Sequence, residues 1–513
     1  MIWPNAISIK HLGYLFITLI GLVFIFNAVH FEPHDFANYY FGATFLKEGN
    51  FSSLLYFPHK FNQEIATLGY KNIFCSYAPN PPFLATFFMP FTFVSLKIAK
   101  IIFNLISLLL FLYSLQKLFK IYAIKHIFLF LIPIVFLIPF RNNFLFGQIY
   151  LLLFFLLSEG FLAFKRKSYI KMGVFWGIAI MLKIFPIILL FFLLFKKQYR
   201  ALIYLFSTCI FLLSISLIIN GSEVWEFYLK SVLIKSSNGE ISRDVVLGYQ
   251  SIFMFLKKLF LSNTTIFSIS LLLSKLILIV ISYFFTKNET SELNTFSFWI
   301  FLSILLSPYG STYTSILLIF LFIYYVKEIN PNFKLLFVIF LFFLISNTPI
   351  HYFLELPIPF SFPRLFLLLI LFIFLVSKNF NYIHRKSSIV FISFFLLIAL
   401  LTSKNDIQNG QVLVQDQPIL VYDYVIEKSI LNYIYWNKNG KQMESTGLAI
   451  KNIDTSSTTM HNNQIYYKGK QITFNDDNKL KPSVVNQEIL IYLSDLNQGI
   501  GFYQLRSIPL TLD

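Results

Sequence analysis

The residues that could carry chemistry gather just past the first long apolar run. There the chain reads Phe31-Glu32-Pro33-His34-Asp35-Phe36-Ala37-Asn38-Tyr39-Tyr40. A carboxylate at a membrane surface can act as a general base, because a partly dry interface raises its basicity. Asp35 is the best-placed acid for that role, with Glu32 and His34 its nearest substitutes. The competing use of Asp35 is structural, as the cap of a short helix over 36–48. Asn38 and Tyr39 follow one turn later and offer polar contacts to a substrate.

Further polar groups punctuate apolar surroundings. Lys183 sits in an otherwise apolar hairpin, where a lysine costs about 2.5–3.5 kcal/mol unless paired or near water. It must face a cavity, a partner or an anionic ligand, or else snorkel to the interface. Arg141 opens a short polar loop, 141–148, that ends in Gly147-Gln148. It would contact a phosphate or sugar, or pair with a loop carboxylate. Tyr77-Ala78-Pro79-Asn80-Pro81-Pro82 cannot be helical with its prolines and is expected to be extended, leading rigidly into the apolar stretch 83–96. Tyr249-Gln250-Ser251, Ser307-Pro308-Tyr309-Gly310-Ser311-Thr312-Tyr313 and Asn347-Thr348-Pro349-Ile350-His351-Tyr352 combine rings with amides, which suits a sugar. Each tyrosine could equally belong to an interfacial aromatic belt, and His351 could be a surface histidine. Glu159 is expected to pair with nearby Lys165 or Arg166. The two cysteines, Cys75 and Cys209, are not expected to form a disulfide, and no Cys/His spacing suits a metal.

These groups need positioning elements, and composition says which kind. The chain is 57% hydrophobic and 13% charged, against about 25% charged in ordinary soluble domains. Phe alone fills 65 of 513 positions, so the apolar mass is bulky, and lipid must solvate most of it. The net charge of +17 invites a nucleic-acid reading, but no basic face with interleaved aromatics lies outside the apolar runs. The basic residues instead sit in short loops and read as topology and anionic-lipid contact.

The expected spans are 12–29, 101–116, 126–140, 149–164, 172–184, 186–195, 201–219, 265–286, 294–307, 312–326, 333–346, 363–376 and 387–403. The first is too long for a signal peptide and is read as a retained helix. Lys165, Arg166, Lys167 and Lys171 precede the pair 172–184/186–195, and Lys196, Lys197 and Arg200 follow it. Both clusters should be cytoplasmic, so the pair enters and returns, turning at Pro186. The N-terminus then lies inside, and the loops 30–100, 141–148, 220–264, 308–311 and 347–362 outside. The expected fold is an all-α polytopic membrane protein of about 11–13 transmembrane helices over residues 1–403. From Ser403 the composition turns polar, with alternating stretches at 411–415, 419–422, 431–436, 464–474 and 488–493. Turns are expected at 437–440 and at Lys468-Gly469-Lys470. Residues 404–513 are read as a small β-rich extracytoplasmic domain.

The ordered set of motifs resembles glycosyltransferase family 87. It comprises Asp35 with Asn38-Tyr39, Gly42 to Gly49, Tyr77-Ala78-Pro79-Asn80-Pro81-Pro82, Gly147-Gln148, Lys183-Ile184-Phe185-Pro186 and Ser307-Pro308-Tyr309, and it covers about residues 10 to 330. The resemblance implies a GT-C membrane glycosyltransferase that needs no metal or other cofactor. It implies transfer of a hexose, often mannose, from a polyprenyl-phosphate donor to an envelope lipid or glycan acceptor. Asp35 would be the base of an inverting transfer, and Asn38, Tyr39, Tyr77, Asn80, Arg141, Gln148, Lys183, Gln250, Tyr309 and His351 would contact substrate. The enzyme would be a multi-pass protein of the inner (plasma) membrane, surrounded by lipid and without nucleic acid. Two other classes remain. A transporter or flippase of a lipid-linked saccharide would show paired charges along the bundle and internal repeats, and neither is visible. A non-catalytic envelope assembly protein would not need Asp35.

Overall fold

In a computed structural model of the chain, the described residues are 9–31, 33–70, 73, 75–237, 249–260, 264–328, 333–353, 356–358, 360–377, 411–412, 420–427, 430–436, 442–449, 453–454, 457–461, 464–474, 479–494 and 504–510. Twelve of the thirteen expected apolar runs are helical; the last, 387–403, lies outside the described residues, as do Glu32, the side chain of His34 and the turn 437–440.

The first helix, Ile9–Val29, shows why lipid is needed. Its buried residues are Gly13, Ile17, Gly21, Ile25 and Ala28, a stripe of nearly four-residue spacing. A Cβ on Gly13 would stand 2.9 Å from Leu129, and one on Gly21 would stand 2.9 Å from Leu108, so small residues set this packing. The opposite face leaves Leu15, Leu19, Val23 and Phe26 exposed, Phe26 by 66%. Helix Tyr199–Asn220 does the same with Ile203, Phe206, Phe211 and Ile218. Continuous apolar faces of this kind belong against acyl chains. Hydroxyls inside such helices return to the carbonyl four residues back, as Thr18 does to Tyr14, Ser158 to Phe154 and Ser282 to Leu278.

Four helices are long and apolar enough to cross a membrane by themselves: Ile9–Val29, Leu96–Ile121, Tyr199–Asn220 and Thr264–Asn288. A fifth would be a bent pair, His126–Val135 and Leu137–Phe146, turned by 66°. Six apolar helices are shorter, including Tyr169–Leu182, Glu292–Leu306, Phe333–Asn347 and Pro363–Ser377. The expected 11–13 spans thus stand, among the described residues, against four helices of full spanning length. The bend at Phe136 falls between Pro133 and Pro139, neither of which has an N–H to donate. Asn347 repairs it: its Oδ1 accepts from Ile138 N–H at 3.0 Å, and its Nδ2 donates to Val135 O at 2.8 Å. The second limb runs through Arg141 to Phe146, so the expected loop 141–148 is largely helix. Glu159 is likewise corrected. Its partner is Lys117, at 2.8 Å, from the long helix Leu96–Ile121, while Lys165 lies over the Tyr122 ring.

The described chain divides into two compact units, one of Met1–Phe36, Pro81–Gly221 and Leu247–Lys404, the other of Ala37–Asn80, Ser222–Val246 and Asn405–Asp513. In the second, the C-terminal strands form one five-stranded and two three-stranded antiparallel sheets. Strand Ile489–Ser494 is buried on both faces. Ile491 and Leu493 pack with Tyr424, Leu431 and Leu505, while Leu490 and Tyr492 pack with Ile465, Tyr467 and Val484. Period-two alternation therefore gives one strand two cores. The Lys468-Gly469 turn is as expected, with both residues at positive φ.

Candidate functional site

Helix His34–Lys47 starts five residues after the first helix ends, which puts Asp35 in its first turn. A carboxylate is favoured there by the helix dipole, so the Asp35 position is both a chemical and a structural one. Gln148 Nε2 donates to Asp35 Oδ2 at 2.5 Å. A glycine makes this contact possible. Helix Leu137–Phe146 ends at Gly147, whose φ of +66° is left-handed, and Gln148 N–H closes back on Asn143 O at 2.8 Å. A Cβ on Gly147 would stand 2.5 Å from Phe36 Cβ, so the corner touches the residue beside Asp35. The next helix, Tyr150–Lys165, begins immediately afterwards.

Around the carboxylate stand one cation and several phenols. Lys183 ends helix Tyr169–Leu182 in extended backbone, half-buried, and feels the Asp35 charge. Tyr150, Tyr249 and Tyr313 feel it too. Tyr150 stacks on Phe185 at 6.0 Å and meets Tyr313 at 5.2 Å; Tyr313 meets Phe146 edge-on at 6.3 Å. Asn143 Nδ2 holds the Tyr313 carbonyl at 3.0 Å. Burial, with the Asp35 charge adding to it, pushes the Tyr249 hydroxyl up to about 12, so it stays a neutral donor at physiological pH. Tyr249 meets Tyr309 edge-on at 5.5 Å. The arrangement offers one proton acceptor held by an amide, a cation, and ring faces and phenols suited to a polyol.

Several expected ligands serve packing. Gln250 is buried; its Nε2 holds Ser361 O and its Oε1 accepts from Arg364 N–H. Gly310 presses on the Gln250 backbone, 2.5 Å from where its Cβ would be, and Ser251 Oγ donates to Pro308 O. The Ser307–Tyr309 and Tyr249–Ser251 motifs are thus one tied corner. Arg141 is exposed and bonds Asn142 at 3.3 Å; among the described residues it has no carboxylate partner. His351 is exposed and tilts against Tyr352. Among the described residues neither contacts Asp35.

In the second unit, the Asn38, Tyr39, Tyr77 and Asn80 side chains are all buried. Asn38 Oδ1 accepts from Ser76 N–H at 2.8 Å, and a Cβ on Gly42 would meet the Tyr77 ring at 2.3 Å. Tyr56 donates to Asn80 O, and Asn62 brackets Cys75 with two bonds, at 2.7 and 2.8 Å. The Tyr77–Pro82 segment is therefore a turn, not an extended strand. Asn80 N–H bonds Tyr77 O, the Ala78–Pro79 peptide is cis, and Pro82 leads in α-conformation into helix Phe83–Phe88. It braces the helix that begins at His34. Both cysteines are free.

Sequence reading passed over Tyr150 and Arg364, both of which lie inside apolar runs, whereas Tyr313 closes a stretch it singled out. A polar atom in such a run is the one available signal, and it marks Arg364. Among the comparisons, the model of glycosyltransferase family 87 matches residues 78–308. No curated protein and no solved structure matches the chain.

Proposed function

We propose that this chain, a membrane glycosyltransferase similar to family 87, moves a hexose, mannose in the first instance, from a polyprenyl-phosphate donor to a lipid or glycan acceptor. The carrying observation is Asp35, held by Gln148, with its charge reaching Lys183, Tyr150, Tyr249 and Tyr313. In this reading Asp35 takes the proton of an acceptor hydroxyl. The hydroxyl oxygen bonds to the anomeric carbon as the bond to the donor phosphate breaks. Direct displacement inverts the anomeric centre. The released polyprenyl phosphate carries the electron pair, and Lys183 opposes its charge without a metal. Tyr150, Tyr249, Tyr309 and Tyr313 supply ring faces and hydroxyls for the sugar.

The same reading places the N-terminus in the cytoplasm, Asp35 at the extracytoplasmic face of the inner membrane, and residues 404–513 as an extracytoplasmic domain following the transmembrane domain 1–403. The support is the bias of lysine and arginine toward one set of loops. Asn38, Tyr39, Tyr77 and Asn80 keep their proposed role as substrate contacts, and Arg141 and His351 are candidate contacts for the acceptor.

The deciding experiment is Asp35→Asn in purified, detergent-solubilised enzyme. The amide keeps shape but cannot accept the proton, and a general base contributes about 10²–10⁴ in rate. The variant should fold, bind donor and lose at least two orders of magnitude in transfer. Transfer at near wild-type rate would reduce Asp35 to a helix-capping role.

A further inference from the structure

The loops Arg166-Lys167-Ser168 and Lys196-Lys197-Gln198 are one corner built twice. Each joins the end of an apolar helix, Tyr150–Lys165 or Leu189–Phe195, to the start of the next, Tyr169–Leu182 or Tyr199–Asn220. Each carries a lysine in left-handed backbone, Lys167 at φ +56° and Lys197 at φ +55°. The following N–H closes back on a carbonyl five positions earlier, Ser168 on Ala163 at 2.9 Å and Gln198 on Leu193 at 2.8 Å. Glycine is the usual occupant of such a position, because a Cβ there crowds the backbone. The helix dipoles do not explain the lysines either: a cation is favoured by the helix end it follows and opposed by the helix start it precedes.

Packing makes the two corners neighbours. Helices Tyr169–Leu182 and Tyr199–Asn220 meet along one stripe each. The Tyr169 and Tyr204 rings stack at 6.2 Å. A Cβ on Gly173 would stand 2.8 Å from Thr208 Oγ1, and one on Gly177 would stand 2.9 Å from Thr208 Cγ2. The stripe that carries Tyr204 and Thr208 continues backward to Arg200, one turn or about 5.4 Å beyond Tyr204. Arg200 thus projects past the start of the first helix, on the side of the Arg166–Ser168 corner. Lys165 and Lys196 are engaged elsewhere, one over the Tyr122 ring at 4.6 Å, the other donating to Glu289 O at 2.5 Å. Arg166, Lys167, Lys197 and Arg200 are exposed, and none joins an ion pair among the described residues. The sequence has no acid between Glu159 and Glu223. Within a turn of these cations the same two helices expose Ile170 and Ile203, with Phe206 next along.

We propose that Arg166, Lys167, Lys197 and Arg200 hold the anionic headgroup of a bilayer phospholipid whose acyl chains lie on Ile170, Ile203 and Phe206. Four cations without a counter-charge call for an anion, and arginine and lysine donors suit a phosphodiester. Exposed apolar side chains directly beside them call for an anion that carries hydrocarbon. A phospholipid of the surrounding leaflet meets both demands, and a free anion only the first. The general attraction of basic loops to anionic lipid is here narrowed to one place, a double corner that keeps two lysines in strained backbone. The proposal needs only that the chain lies in a bilayer, and it is independent of the orientation and of the sugar donor.

The test measures binding of dioleoylphosphatidylglycerol and dioleoylphosphatidylcholine, which share their acyl chains, to the purified full chain in detergent, with glycerol phosphate as the probe without a tail. Each basic residue near an anionic surface adds about fivefold in binding. The anionic lipid should therefore bind at least about tenfold more tightly than the zwitterionic one. The double variant Lys167→Gly/Lys197→Gly should weaken the anionic lipid about 20-fold, on the order of two such factors. Its lipid-free melting temperature should stay the same or rise, because glycine relieves the left-handed backbone. Arg166→Gln/Arg200→Gln should weaken the anionic lipid to a similar extent. Lys120→Gln/Lys125→Gln removes two exposed lysines from the neighbouring corner, beside Tyr122, and should leave the affinity within about twofold. Equal affinity for the two lipids overturns the proposal. So does an equal loss in the Lys120/Lys125 pair, which would mean diffuse attraction and no site. Glycerol phosphate binding as tightly as the anionic lipid would replace the lipid with a free anion and overturn it too. Should the glycine pair fail to fold, unaltered lipid selectivity in the arginine pair overturns it equally.

Discussion

Asp35 is only as good a base as its orientation, and Gln148 is the group that orients it. A hydrogen bond to a charged group is worth about 1.5–3 kcal/mol. Gln148→Leu keeps the volume and loses the amide, so kcat should fall about 10- to 100-fold at tenfold per 1.36 kcal/mol. Donor KM should hardly move, because the lost contact is to the base. A large rise in KM with kcat intact would instead make Gln148 a donor ligand. Lys183 should show the opposite pattern. If it opposes the donor phosphate, Lys183→Met weakens donor binding far more than it lowers folded yield. Unchanged donor affinity in the folded fraction would assign Lys183 a structural role. The two lysine outcomes in this chain also show what residue type leaves open. Lys183 and Lys117 both interrupt apolar helical stretches, yet Lys117 is consumed by Glu159 at 2.8 Å while Lys183 lies within range of the Asp35 charge.

At the scale of elements, the site depends on a corner. The chain must leave helix Leu137–Phe146 and start helix Tyr150–Lys165 within three residues, against the flank of Phe36. Gly147 answers both demands, a left-handed φ and no Cβ. Gly69 also has a left-handed φ, but open space surrounds its missing Cβ. The pair separates strain from crowding. Gly69→Ala should destabilise by about 1–2 kcal/mol, the cost of that φ for an L-residue. Gly147→Ala should add an overpacking cost of about 1–3 kcal/mol, and it should lower transfer as well by displacing Gln148. Thermal unfolding in detergent, with transfer rates alongside, checks both; equal melting shifts would remove the packing argument. The bend at Phe136 follows the same logic. Two prolines strip donors from the backbone, and a side chain distant in sequence, Asn347, supplies the bonds that water cannot supply in lipid.

At the scale of the whole molecule, the proposed topology is testable through accessibility. Single cysteines introduced within 165–171 should be shielded from an impermeant thiol reagent in intact cells, and cysteines within 404–513 should react. Labelling of both segments from outside would overturn the orientation and, with it, the extracytoplasmic placement of Asp35.

Sequence by itself determined the solvent and the elements. Apolar runs marked twelve of the helices because lipid requires long uncharged segments whose backbone bonds are internal. The polar, alternating tail marked strands because side chains alternate across a pleated sheet. Asp35, Gln148 and Lys183 were legible as exceptions to their surroundings. The tertiary structure decided which exceptions meet. It joined Gln148 to Asp35 across 113 positions and gave Glu159 to Lys117 over the nearer Lys165. It also turned Gln250 into a brace between Ser361 and Arg364. Those outcomes depend on which helix faces touch. Adjacent helices here are apolar on every side, so hydrophobic periodicity carries no record of which face meets protein and which meets lipid.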